Sequence, residues 1–306
     1  MDNFNIETYL HSLPKECTEI IIPVKNITSL PNLNEFTKLQ LLNCHNNKLT
    51  TLPILPENLE FFYCSDNQLI SLPELPELHK LKILYCAFNQ LTVLPSLFEN
   101  LQILSCCYNQ LTSLPELPKN LQSLYCSCNQ LTCLPTLPEN LGTLYCSHNQ
   151  LTVLPTLPKK LRTLYCDNNQ LKYLPKLSTD LRILVCSHNQ LSYLPTLPEK
   201  EIQTFTCSHN QFYFLPILPD KLEMFNCIGN PIYNILQDKD MVDIKRIIKN
   251  LNICRHICYC LRLKKHFKYW LWELIRQPKI IQKYHPTYLI ENLDEETDLD
   301  IVLNSW

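Results

Sequence analysis

The chain has 306 residues, 22 Pro against only 2 Gly, and a formal charge of −2. The near-zero charge argues against a general polyanion binder, and no stretch approaches the roughly 20 apolar residues of a membrane span. The opening MDNFNIETYL carries acids and Asn where a signal peptide needs a basic start and an apolar run, so a soluble intracellular protein is expected.

Residues 1–16 read as an amino-terminal cap. A short helix is predicted over Phe4–Leu10, and Leu10-His-Ser-Leu13-Pro14 already holds half of a motif that recurs later. Terminal units of repeat arrays depart from consensus because they cover an apolar end. From residue 17 to 232 the chain repeats LxxLxCxxNQLTxLPxLPxN, beginning at Leu39, Leu59, Leu81, Leu101, Leu121, Leu141, Leu161, Leu181, Ile202 and Leu222. A degenerate unit at Cys17 precedes them, with Lys25 in the place of the Asn, giving eleven strand segments. A fixed period of this length decides the fold before local propensity does. Most units have 20 residues; those at Cys17 and Leu59 have 22 and that at Leu181 has 21, so the insertions belong in turns.

One unit explains the rest. In Leu121–Cys126 the period-two alternation turns Leu124 and Cys126 inward and Ser123 and Tyr125 outward. Asn129 closes the strand, where an amide that both donates and accepts can satisfy turn backbone. Ten such Asn stand in register and are expected to be structural: Asn47, Asn67, Asn89, Asn109, Asn129, Asn149, Asn169, Asn189, Asn210 and Asn230. Leu131 and Leu134 return to the core. The LPxLP segment cannot be helical, because Pro removes donors and disfavours helix in the residue before it; an extended, polyproline-like wall results.

Of the 17 Cys, ten occupy the sixth place: Cys44, Cys64, Cys86, Cys106, Cys126, Cys146, Cys166, Cys186, Cys207 and Cys227. Free Cys packs as a small hydrophobe, so a ladder of buried, reduced thiols is expected.

This pattern resembles the leucine-rich repeat family, in particular its short LPX subclass of secreted bacterial effectors. The resemblance covers about residues 17–232 and departs from the family in placing Cys where Leu is usual. It implies an α/β repeat fold: a curved leucine-rich-repeat solenoid with short parallel strands on its concave face, an extended convex side and a small helical carboxy-terminal cap. At about 4.8 Å per strand, eleven strands make a sheet roughly 50 Å along.

The outward row at the fifth place carries Tyr63, Tyr85, Tyr125, Tyr145 and Tyr165, and the eighth place carries Phe88, Tyr108, His148, His188 and His209. Tyr supplies large contact area with a polar tip, so this face is expected to bind a protein partner. Stacked Tyr also stabilise a sheet by cross-strand packing alone. Of the His residues only His188 and His209 are neighbours, and zinc wants three or four ligands, so no metal and no cofactor are expected.

After Asn230 the composition changes to a helical module, 233–306. A first helix is predicted through Met241, Ile244, Ile247, Ile248 and Leu251, and a second over His256–Ile275, then a break at Pro278, a short segment 286–293 and an acidic tail ending at Trp306. Cys254, His256, Cys258 and Cys260 match no paired metal-knuckle spacing, and the three cysteines are read as core residues of a capping helix, with His256 pointing away from the face of Cys254 and Cys258. Eleven Lys or Arg against Glu273 lie in 245–283, and six acids in 291–300. The tail resembles those of proteins of giant amoeba-infecting DNA viruses, which implies a eukaryotic host partner. No Gly-rich phosphate loop, acid pair or nucleophile setting is present, and Cys64-Ser-Asp66 lies inside the ladder, so no enzyme is expected. The leading expectation is a monomeric, non-enzymatic interaction scaffold. The alternatives are an adaptor to a ubiquitin-ligase-type complex through the carboxy-terminal module, and nucleic-acid or anionic membrane binding through the 245–283 basic stretch.

Overall fold

The computed structural model describes residues 4–73 and 79–270, and within 256–270 only the backbone and Lys264. The chain divides into two units, Met1–Ile248 and Lys249–Trp306.

In the first unit eleven three-residue strands follow one another. They are β1 (Glu19–Ile21), β2 (Leu41–Asn43), β3 (Phe61–Tyr63), β4 (Ile83–Tyr85), β5 (Ile103–Ser105) and β6 (Ser123–Tyr125). Then come β7 (Thr143–Tyr145), β8 (Thr163–Tyr165), β9 (Ile183–Val185), β10 (Thr204–Thr206) and β11 (Met224–Asn226). They form one parallel sheet in sequence order, each strand bonded to the next. The parallel-stranded solenoid and its in-register stacking follow the repeat, and among the described residues the LPxLP wall carries no helix. Register is constant: Leu104 pairs with Leu124, Leu124 with Leu144 and Leu144 with Leu164.

That register converts a column of the repeat into a row in space. Leu121, Leu124, Cys126 and Leu131 are fully buried, as are their counterparts in adjoining coils. Burying one Leu side chain is worth about 1.5–3 kcal/mol, yet a single coil has nothing to bury it against; only stacking supplies the other wall. The 22- and 21-residue units keep their strands in register, so the insertions fall outside the sheet.

The amino-terminal end is closed by α1 (Ile6–Ser12). Asn5 caps it by accepting from the Thr8 N–H at 3.0 Å, Leu10 is buried, and Lys25 lies 5.1 Å over the Phe4 ring. At the other end a short helix, α2 (Tyr233–Leu236), precedes α3 (Met241–Trp270). Asp240 Oδ1 accepts from the Asp243 N–H at 2.8 Å just before α3, and Ile232, Leu236 and Ile248 are buried. The two helices expected near 241–251 and 256–275 are one continuous 30-residue helix, at least to Trp270. No Pro or Gly lies between Met241 and Trp270 to stop it. No helix among the described residues is long and apolar enough to cross a membrane. The expected Pro278 break, the 286–293 segment and the acidic tail lie outside the described residues.

Candidate functional site: the strand face

Behind the face stand two ladders. The Asn ladder ties each coil to the one before it. Asn129 Oδ1 accepts from the Leu111 N–H at 3.0 Å, and its Nδ2 donates to the carbonyls of Cys106 (3.0 Å), Cys126 (3.2 Å) and Ser127 (3.3 Å). The pattern repeats at Asn67, Asn89, Asn109, Asn149, Asn169, Asn189 and Asn210. Asn230 bridges Cys207, Cys227 and Phe212 in the same way. Where Lys25 replaces Asn in the first coil, Asn47 accepts from both Lys25 (3.0 Å) and Ile27 (3.2 Å).

The ten ladder thiols are buried and free. Burial pushes Cys44 and Cys86 up to about 12 and Cys227 to about 11, and the neighbouring thiols raise Cys64 and Cys126 further. They are held as neutral packing groups.

In front lie the outward rows. Tyr63 and Tyr85 meet edge to face at 5.3 Å, Tyr125 and Tyr145 are tilted at 5.1 Å, and Tyr145 and Tyr165 stack at 4.3 Å. Ser105 separates the two groups. Burial, then the adjacent phenols, raises the Tyr85 and Tyr145 hydroxyls above their ordinary value.

The eighth place has a property the repeat does not announce. Val24, Asn46, Asp66, Phe88, Tyr108, Cys128, His148, Asn168, His188, His209 and Gly229 all have φ between 51° and 72°. Each coil leaves its strand through a left-handed residue, a conformation in which Asn, Asp and His are enriched. That gives His148, His188 and His209 a backbone reason for their position. Phe88 stacks on Tyr108 at 4.2 Å and His188 on His209 at 4.3 Å. A Cβ on Gly229 would lie 2.5 Å from His209 Nδ1. His148 stands 3.9 Å from Asp167, which also accepts from the Ser147 hydroxyl and from Asn168. Among the described residues no three His, Cys, Asp or Glu are grouped to hold a metal ion. Cys254, expected in the core, is instead exposed; the side chains of His256, Cys258 and Cys260 lie outside the described residues.

Comparison with known proteins matches this geometry. Residues 57–97 and 99–139 fit the family described as leucine rich repeats (2 copies). The solved structure of YopM from Yersinia enterocolitica is 35% identical with a TM-score of 0.69, covering 72% of this chain and 48% of that one. The YopM structure from Yersinia pestis, described as a leucine-rich effector protein, is 30% identical with a TM-score of 0.58, covering 70% of this chain and 78% of that one. This chain is a leucine-rich repeat protein.

It spans about half of the Yersinia enterocolitica YopM chain. A functional domain of InlJ from Listeria monocytogenes, 26% identical with a TM-score of 0.53 over 69% of this chain and 53% of its own, includes a cysteine ladder. No curated protein matches the sequence significantly.

One outward row of this leucine-rich repeat protein escaped the sequence reading. At the third place of successive strands, Leu41 pairs with Phe61, Phe61 with Ile83 and Ile83 with Ile103, all half-buried. The row then turns polar: Ser123, Thr143 and Thr163. The signal is an apolar residue before the inward Leu42, Phe62, Leu84 and Leu104 in four consecutive units. A second, shorter Asn ladder also runs along the other strand end, with Asn58, Asn100, Asn120 and Asn140 donating to carbonyls of the preceding coil.

Proposed function

We propose that the protein is a non-enzymatic interaction scaffold that binds a protein partner through the strand face. Leucine-rich repeat folds are protein-interaction scaffolds, and one observation carries the reading here. The inner ladders meet every requirement of stacking, while the outer rows present Leu41, Phe61, Ile83, Tyr63, Tyr85, Tyr125, Tyr145 and Tyr165 half-exposed on a sheet of eleven strands. These rings pack on one another across coils and still leave rigid aromatic area open, which is what interface cores use.

Photo-crosslinking tests this reading. A benzoylphenylalanine at Tyr85 or Tyr145 should trap a partner from eukaryotic cell extract, whereas the same probe at the exposed Thr136 in the outer wall should not. Equal trapping at all three positions, or trapping only at Thr136, would place binding elsewhere.

A further inference from the structure

We infer that the amino-terminal part of the strand face takes an extended polypeptide segment that sets apolar side chains beside a carboxylate. This rests on the protein-binding reading above and adds the half of the face and the chemistry of the partner.

The apolar contribution is the Leu41–Phe61–Ile83–Ile103 row, one residue from each of four adjacent strands. Tyr63 and Tyr85 flank it two residues further along their strands. Neighbouring strands lie about 4.8 Å apart, so the row offers roughly 15 Å of continuous apolar surface. It stops at Ser123.

The polar contribution lies directly upstream on the same strands. Thr18, Gln40 and Glu60, which precede Glu19, Leu41 and Phe61, line a recess of about 210 Å³ together with Lys38, Asn58 and Lys80. Its charges are unevenly matched. Glu60 accepts from Lys82 Nζ at 2.6 Å, and Lys38 is paired with Glu16, which raises the Lys38 ammonium above its ordinary value. Lys80 donates to the neutral Asn58 amide at 2.6 Å and pairs with no acid among the described residues. Among the described residues two lysines therefore line the recess against one carboxylate already engaged from outside it. An entering carboxylate meets Lys80 without displacing an ion pair, whereas a basic group meets repulsion. The carboxylate could be an Asp or Glu side chain or a chain terminus.

The test is to pan the full chain against a random dodecapeptide library and to measure the enriched peptides as synthetic fluorescent probes. Enriched peptides should combine Leu, Ile or Phe with Asp or Glu. Each of Phe61→Ser/Ile83→Thr and Lys80→Gln should weaken them at least tenfold while the circular dichroism of the folded chain is retained. Lys80→Arg should restore binding, and raised salt should narrow the gap between the parent chain and Lys80→Gln. Amidating the peptide terminus separates a terminal carboxylate from a side-chain one. Peptides without acids, peptides indifferent to both variants, or no enrichment would overturn the inference. If such peptides are instead lost with Tyr125→Ala/Tyr145→Ala, strand-face binding stands and only this half of it falls. Indifference to every face variant removes both.

Discussion

Coils two to five and coils six to nine of the solenoid share one interior and differ in what they show outside. Inside, Leu84, Cys86 and Asn89 in one half have the same burial and bonds as Leu144, Cys146 and Asn149 in the other. Outside, the third place is Leu41, Phe61, Ile83 and Ile103 in the first half and Ser123, Thr143, Thr163 and Ile183 in the second. The eighth place likewise passes from the stacked Phe88 and Tyr108 to His148, Asn168 and His188. Inward positions are fixed by the coil above and the coil below, so no coil can change alone. Outward positions meet solvent and neighbours on one face, so each half is free to carry a different chemistry.

If the interior is common to both halves, alkali should undo both together, and this is the largest effect expected. An unfolded thiol titrates near 9.0, whereas burial holds Cys44 and Cys86 at about 12. Above pH 9 the unfolded chain releases protons that the folded chain keeps, so stability is complete below that pH and falls as pH rises towards the folded values. Each ladder thiol contributes about 1.4 kcal/mol per pH unit to the fall, and several together far exceed the stability of a typical domain. Circular dichroism between pH 8 and 11 should show cooperative unfolding, shifted upward by Cys126→Val. A chain that keeps its strands at pH 11 would mean the ladder is not protonated and buried as described.

Substituting the Asn ladder asks the same question bond by bond. Asn67→Ala and Asn129→Ala should each cost about 1–3 kcal/mol, since each leaves buried backbone groups unpaired. Similar shifts in a urea melt support an equivalent interior. A central loss much larger than one near either end would reflect nearest-neighbour stacking in a linear array.

Gly229→Ala probes the last coil, where the left-handed exit residue lies beneath the His209 ring. Strain at φ +72° together with the close approach should cost about 1–2 kcal/mol. His209→Ala in the same chain should recover part of that loss in a thermal melt.

The smallest effect on stability should come from the outer rows, and there the halves should part. Tyr125→Ala with Tyr145→Ala removes two ring contacts, together about 1 kcal/mol, and Phe61→Ser with Ile83→Thr a similar amount. Their effects on partner capture should be unequal, with the amino-terminal pair dominant. Equal losses would make the face a single uniform surface and dissolve the contrast between its halves.

The sequence by itself determined the repeat, its parallel stacking and the inward ladders, because in a solenoid one period equals one coil. A residue that recurs every 20 positions must lie on its own copy. That is why Leu124, Cys126 and Asn129 could be placed before any coordinates. The outcome of stacking could not be placed in the same way. The left-handed exit at Phe88, Tyr108 and His148 follows from how the turn closes against the next strand, and the Phe, Tyr and Cys mixed with Asn, Asp and His at that place hide it in the sequence. The recess of Lys38, Asn58 and Lys80 is assembled from several coils, and which acids its lysines meet among the described residues depends on what their neighbours have already taken. The merging of two expected helices into α3 likewise reflects the absence of any stop between Met241 and Trp270. Periodicity specifies which residues are neighbours; only the folded chain decides what the neighbours leave unsatisfied.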